Sequence, residues 1–163
     1  ENNMQISQEG IALIKKFEGC PKNSKGDAVS YRCAANKKTI GFGSLKLIDG
    51  SPVEDDMTIT MQEAEELLAH ELIEYEGYIN EMVECNLSQN QFDAMVSWVF
   101  NLGPTNLKNS SLLKILNSTH VDWADIPHQI QRWNKVNGKV NEGLVRRREA
   151  EALLFEGKEW HEV

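Results

Sequence analysis

The stretch from Phe17 to Gly43 carries the residues best suited to acid–base chemistry. Glu18 closes an amphipathic pattern whose apolar members are Ile6, Ile11, Leu13, Ile14 and Phe17, and Gly19 follows at once. That spacing predicts a helix stopped by a residue free to take positive φ. A carboxylate at such a helix end, backed by Phe17, is placed for desolvation. Desolvation disfavours the charged form and raises the pKa, which suits a general acid near neutral pH. Beyond a polar connection come Tyr31-Arg32-Cys33 and then Thr39-Ile40-Gly41-Phe42-Gly43. A β-branched pair followed by alternate glycines reads as a strand or hairpin that another group approaches closely. A helix-end glutamate facing a glycine-rich hairpin describes a catalytic cleft. The plainer alternative is a solvated carboxylate at a helix terminus.

The pattern Glu-Gly, then Tyr-x-Cys-x5-Thr-Ile-Gly-aromatic-Gly, resembles the opening of the phage-type lysozymes, the muramidase endolysins of glycoside hydrolase family 24. Two further blocks resemble the same family. One is Gln91-Phe92-Asp93-Ala94 through Ser97-Trp98-Val99-Phe100-Asn101-Leu102-Gly103, with Asn109-Ser110-Ser111-Leu112-Leu113 after it. The other is Trp133-Asn134, followed by Gly143-Leu144-Val145-Arg146-Arg147-Arg148-Glu149-Ala150-Glu151. The three blocks occur in family order and span nearly the whole chain.

The resemblance implies a mainly helical α+β fold of two lobes: one lysozyme domain over residues 1–163, with a sheet-bearing N-terminal lobe over about 1–59. A linking helix over about 60–84 and a helical C-terminal lobe over about 85–163 would complete it. It also implies hydrolysis, with inversion, of the β-1,4 bond between N-acetylmuramic acid and N-acetylglucosamine in peptidoglycan. The protein would be a monomer needing no metal or organic cofactor. Glu18 stands where the family has its proton donor. The family's second catalytic position is Asp or Cys with five residues between it and the Thr of Thr-Ile-Gly, which here is Cys33. Counting forward from Glu18 by the usual family spacing lands instead on Asp27, because this chain carries six extra residues before Thr39. The agreement of Tyr31, Cys33, Ala34 and Thr39 through Gly43 favours Cys33.

A group on the face opposite the acid must hold or activate water, or stabilise an oxocarbenium-like centre. A thiol does so only if its pKa falls toward neutrality. Arg32, Lys37 and Lys38 are near Cys33 in sequence; alone, Cys33 would read as a small buried hydrophobe. Thr39, by analogy, positions the water through its hydroxyl. Leu45, Phe100, Asn101 and Ser110 match positions that contact saccharide, although Phe100 fits a core role equally. Arg146 is the cation implied near Glu18, with two of Arg146, Arg147 and Arg148 expected to be surface charges. His70, His120, His128 and His161 show no metal or triad spacing and read as solvated surface.

The elements that must position these residues follow from pattern. Ser7 is a candidate cap for the first helix. Residues 20–30 read as a loop, about 29–48 as a small antiparallel sheet turning at Ala35-Asn36 and Asp49-Gly50, and 49–59 as an acidic irregular surface run. Thr60-Met61-Gln62-Glu63 and Ser88-Gln89-Asn90-Gln91 are capping-box patterns opening a long helix and a buried one. A short helix beginning at Asn109 or Ser110, another over 121–133 with Pro127 tolerable only near a boundary or kink, a loop or tight hairpin over 137–143 and a last helix over about 144–156 complete the chain.

The chain has 163 residues, a net charge of −8 and three cysteines. The size permits a real core. The acidity argues against nucleic acid or anionic membrane as partner and sits awkwardly with an anionic cell wall. Cys20, Cys33 and Cys85 fit a reducing compartment better than a disulfide framework; a Cys20–Cys33 bridge is the alternative after export. No apolar run reaches the length of a membrane span and no signal-peptide pattern opens the chain. Met4 is a candidate natural start, with Glu1–Asn3 as added residues. With the resemblance, these features imply accumulation in the host cytoplasm and passage to the wall through a membrane lesion such as a holin makes. A binding module that has lost catalysis, such as part of a virion wall-puncturing device, is the alternative from another class. A chitosanase-like enzyme on a related scaffold is the alternative within glycosidases.

Overall fold

The computed structural model describes residues 3–163; Glu1 and Asn2, two of the three candidate added residues, lie outside them. The chain sorts into two compact units, one of residues 15–73 and the other of residues 1–14 with 74–163. Both boundaries fall inside helices, α1 (Gln8–Glu18) and α2 (Met61–Met82).

The unit of residues 15–73 holds the end of α1, four two-residue strands and the first half of α2. β1 (Ala28–Val29) pairs antiparallel with β4 (Thr58–Ile59), and β2 (Tyr31–Arg32) pairs antiparallel with β3 (Lys38–Thr39). The sheet expected over 29–48 is therefore smaller, and it draws a strand from the run expected to be irregular. Two glycines explain the shortening. Gly41 and Gly43 take φ of 65° and 94° and curl the chain, so that Ile40 and Ser44 exchange backbone hydrogen bonds instead of extending β3. Asn36, in the left-handed region at φ 60°, makes the expected turn between β2 and β3. The acidic run does pair: Asp55 lies near Arg32 and Lys38, and Glu54 near Lys38. All are exposed surface pairs of small energetic weight. Ala28 and Ile40 are fully buried in this unit, with Leu67, Leu68 and Leu72 of α2 nearly so.

α2 begins where its capping box predicts. The Thr60 hydroxyl accepts from the Glu63 N–H and the Glu63 carboxylate accepts from the Thr60 N–H, each at 3.0 Å. α3 (Gln89–Leu102) opens with the same reciprocal arrangement between Ser88 and Gln91 and buries every side chain from Phe92 to Val99. It is the centre of the second unit and packs most heavily against α7 (Glu142–Phe155). α4 (Pro104–Lys108) was not anticipated; α5 (Ser111–Leu116) was. α6 (Ile126–Gln131) is shorter than the helix expected over 121–133, because Pro127 suits only the first turn and so fixes the start. β5 (Lys135–Val136) and β6 (Lys139–Val140) form an antiparallel hairpin turning at Asn137-Gly138, so the expected loop supplies the turn and the second strand, and the first strand precedes it.

Ser7 departs from its expected role. Its N–H and its hydroxyl both donate to Asp93 of α3, in the same unit, rather than capping α1 through the side chain. Gly10 lets that approach happen: a Cβ there would lie 2.6 Å from Ile6 Cγ1 and 2.8 Å from Asp93 Cβ. No helix among the described residues is long and apolar enough to cross a membrane.

Candidate functional site

Glu18 is the last residue of α1, and Gly19 follows in the left-handed region at φ 69° with its N–H donating to the Lys15 carbonyl. That local arrangement is dictated by the glycine, and it ends the helix beside the Gly41–Gly43 curl. Gly43 is where the two meet. A Cβ on it would lie 3.2 Å from Glu18 Oε1, so the carboxylate rests against a backbone kept bare of a side chain.

Tyr31 marks the rest of the neighbourhood. Its hydroxyl is pushed above its ordinary pKa by burial first, then by the negative charges of Glu18, Cys20 and Cys33. One phenol thus senses both the candidate acid and the candidate second group. Sequence reasoning used Tyr31 only as a motif position.

Cys33 follows β2 and its backbone closes the turn, donating to the Lys37 carbonyl and accepting from the Asn36 N–H. Its thiol is drawn below the ordinary value, foremost by a hydrogen bond from the Lys37 backbone, with further help from Ala35 and the Thr39 hydroxyl, while partial desolvation opposes. The neighbouring cations are not the cause. Arg32 reaches the Asn36 carbonyl and Asp55, and Lys38 faces Glu54 and Asp55. Thr39 is buried, and its hydroxyl donates to the Lys37 carbonyl at 2.8 Å. Asp27 lies in the insertion, where its backbone pairs with Asn23. Cys20, Cys33 and Cys85 are all free thiols.

Two residues that were not singled out as site candidates belong to this unit's polar centre. Ser44, almost wholly buried, donates from its hydroxyl to Glu71 Oε2 at 3.0 Å. Glu71 sits on the apolar stripe of α2, where a carboxylate is out of place, and that misplacement was legible as a signal. Leu45, next along, is about half exposed.

The remaining candidates belong to the other unit. Phe100 is half-buried and meets Tyr75 edge to face at 5.0 Å. Asn101 is exposed, and its side-chain oxygen accepts from Arg148 at 2.9 Å. Ser110 is occupied as the cap of α5, accepting from the Leu113 N–H and donating to the Leu107 carbonyl. It also lines a cavity of about 470 Å³ together with Arg132, Trp133 and Asn134. The arginine triplet corrects expectation. Only Arg146 is exposed; Arg147 and Arg148 are buried and converge on Glu151, which is itself fully buried and accepts a hydrogen bond from Ser97. Charged residues read as surface from sequence, but a buried carboxylate three and four residues on supplies the counter-charge. All four histidines are exposed, and no group of residues able to hold a metal occurs among the described residues.

Fold and sequence agree on a class. The endolysin from Escherichia coli O157:H7 phage FAHEc1 superposes with a TM-score of 0.84 at 33% identity, covering 95% of each chain. The phage lysozyme family model matches residues 15–151, and the chain belongs to that family. The endolysin of Salmonella phage P22 is 35% identical over 93% of this chain and 98% of its own. The endolysin of Bacillus phage PZA is 40% identical over 93% of this chain but only 55% of its own, so the chain spans about half the length of that relative.

Proposed function

We propose that this protein is an endolysin muramidase, cutting the β-1,4 bond between N-acetylmuramic acid and N-acetylglucosamine in bacterial peptidoglycan with inversion. Glu18 protonates the glycosidic oxygen as it leaves. Water held by Thr39 and Cys33 attacks the anomeric carbon from the other face and gives its proton to the Cys33 thiolate. Exchange with solvent then returns the proton to Glu18 and restores the thiolate. Arg146 supports the acid, and Leu45, Phe100, Asn101 and Ser110 contact the glycan. The named relatives are endolysins, which supports synthesis in the host cytoplasm and access to the wall once a holin or similar lesion opens the membrane.

The observation that carries this reading is the Glu18 carboxylate resting against Gly43 of the curl that follows Thr39, with Cys33 and Thr39 both donating to the Lys37 carbonyl in the same unit. An acid and a second group with a lowered pKa in one neighbourhood is the requirement of the reaction. The test is release of new reducing ends from purified peptidoglycan. The unmodified protein should be active, and Glu18→Gln should lose on the order of a thousandfold or more, as removal of a general acid does. Cys33→Ser should fail where Asp27→Asn does not; the reverse moves the second role to Asp27. Wall binding with no release by the unmodified protein would make it a binding module instead.

A further inference from the structure

The curl from Ile40 to Ser44 is held from two sides. On one side Glu18 rests on Gly43. On the other, the curl is fastened to α2 at two points. A Cβ on Gly41 would lie 3.4 Å from Ala64 Cβ, so the backbone there sits directly on the helix. Seven residues later on α2, two turns along the same stripe, Glu71 takes the Ser44 hydroxyl at 3.0 Å. Ser44 is 1% exposed and is tied by its own N–H and carbonyl to Ile40. Its hydroxyl therefore has little freedom, and the carboxylate fixes it with a charge-assisted hydrogen bond.

We propose that Glu71 is a positioning residue for Glu18, acting through Ser44 to hold the glycine curl against which the acid rests. The idea rests on the reading of Glu18 as the proton donor. Catalytic geometry tolerates little displacement, and groups that act on the reacting bond are held by neighbours locked in turn by hydrogen bonds. Glu71 is an unusual choice for mere packing. Its stripe on α2 is otherwise apolar, with Leu67, Leu68 and Leu72 buried beside it. Burial raises its pKa; the Ser44 bond and His70 pull the other way, and the charge of Glu18 adds to the rise. The two carboxylates sense each other, which supports their proximity.

The experiment compares Ser44→Ala, Glu71→Ala, the double variant and Glu71→Gln, the last keeping an amide oxygen to accept the Ser44 hydroxyl. It measures kcat and KM on peptidoglycan, thermal unfolding, and the Glu18 side-chain carboxyl resonance by carbon-13 NMR. Each alanine variant should lose on the order of ten- to a hundredfold in kcat, with KM little changed. The double variant should lose no more than either single one, because one connection is cut once or twice. Glu71→Gln should keep most of the activity, and the Glu18 resonance should shift in both alanine variants. Unchanged kcat in either alanine variant, losses that multiply in the double variant, or losses explained by the unfolded fraction overturns the proposal. If the unmodified protein releases no reducing ends, the muramidase reading falls. Positioning is then judged on the Glu18 resonance alone, and an unmoved resonance in both alanine variants rejects it.

Discussion

Arg148 Nε and Glu151 Oε1 lie 2.7 Å apart with both side chains fully buried in the interface of α3 with α7. Arg147 approaches the other oxygen of the same carboxylate at 3.3 Å. One anion thus answers two guanidinium groups that cannot lose their protons. Replacing Glu151 by Gln would leave two buried cations without a counter-charge. The expected cost is about 3–5 kcal/mol, seen as a lower urea midpoint, whereas Arg146→Ala on the exposed face should stay within about 0.5 kcal/mol. Equal effects would show that the buried cluster is not what stabilises this helix pair.

Gly10 of α1 packs directly against Asp93 of α3. Gly10→Ala places a methyl group where Ile6 and Asp93 already stand, and it should destabilise by about 1–3 kcal/mol despite the higher helix propensity of alanine. Thermal unfolding measures this directly. A stabilised variant would mean that Ile6 and Asp93 move aside at little cost.

The three thiols should separate by reactivity. All are partly accessible, so access does not rank them. Burial pushes the Cys20 and Cys85 thiols up, while hydrogen bonds led by the Lys37 backbone draw Cys33 down. Since the thiolate is the nucleophile, iodoacetamide should label Cys33 first, and its labelling rate should rise at a lower pH than the other two. Peptide mapping by mass spectrometry at a series of pH values gives the order. Cys33 labelled last would remove the basis for its part in handling water.

Glu71 makes stability depend on pH with a definite sign. Folded Glu71 keeps its proton above the ordinary value of 4.5, chiefly because it is buried. Between that value and its raised pKa the folded state binds more protons than the unfolded one, so its contribution to stability falls as pH rises. Glu71→Gln removes this effect. The variant should gain on the parent as pH climbs through the window and match it most nearly on the acid side. Urea midpoints at several pH values test this, and a difference independent of pH would rule out Glu71 as the source.

Much of the helical framework was legible because its signals are local. The capping boxes at Thr60 and Ser88, the Gly19 stop and the Ser110 cap each act within a few residues, and the helices begin or end beside them. What escaped depends on partners far along the chain. Thr58-Ile59 looks like the tail of an acidic loop until Ala28-Val29 lies beside it. Arg147 and Arg148 read as solvated until Ser97 and Glu151 close around them. The Ser7 hydroxyl turns to Asp93 rather than back to α1. At the candidate site, the helix-end placement of Glu18 followed from pattern. The Ser44–Glu71 bond required knowing which turn of α2 the glycine curl would touch.

The unit boundaries run through α1 and α2 rather than through loops. A break at either place would leave a raw helix end with up to four stranded N–H or carbonyl groups. A fragment of residues 15–73 cut at those seams should therefore be less stable than one that keeps its flanking helical turns.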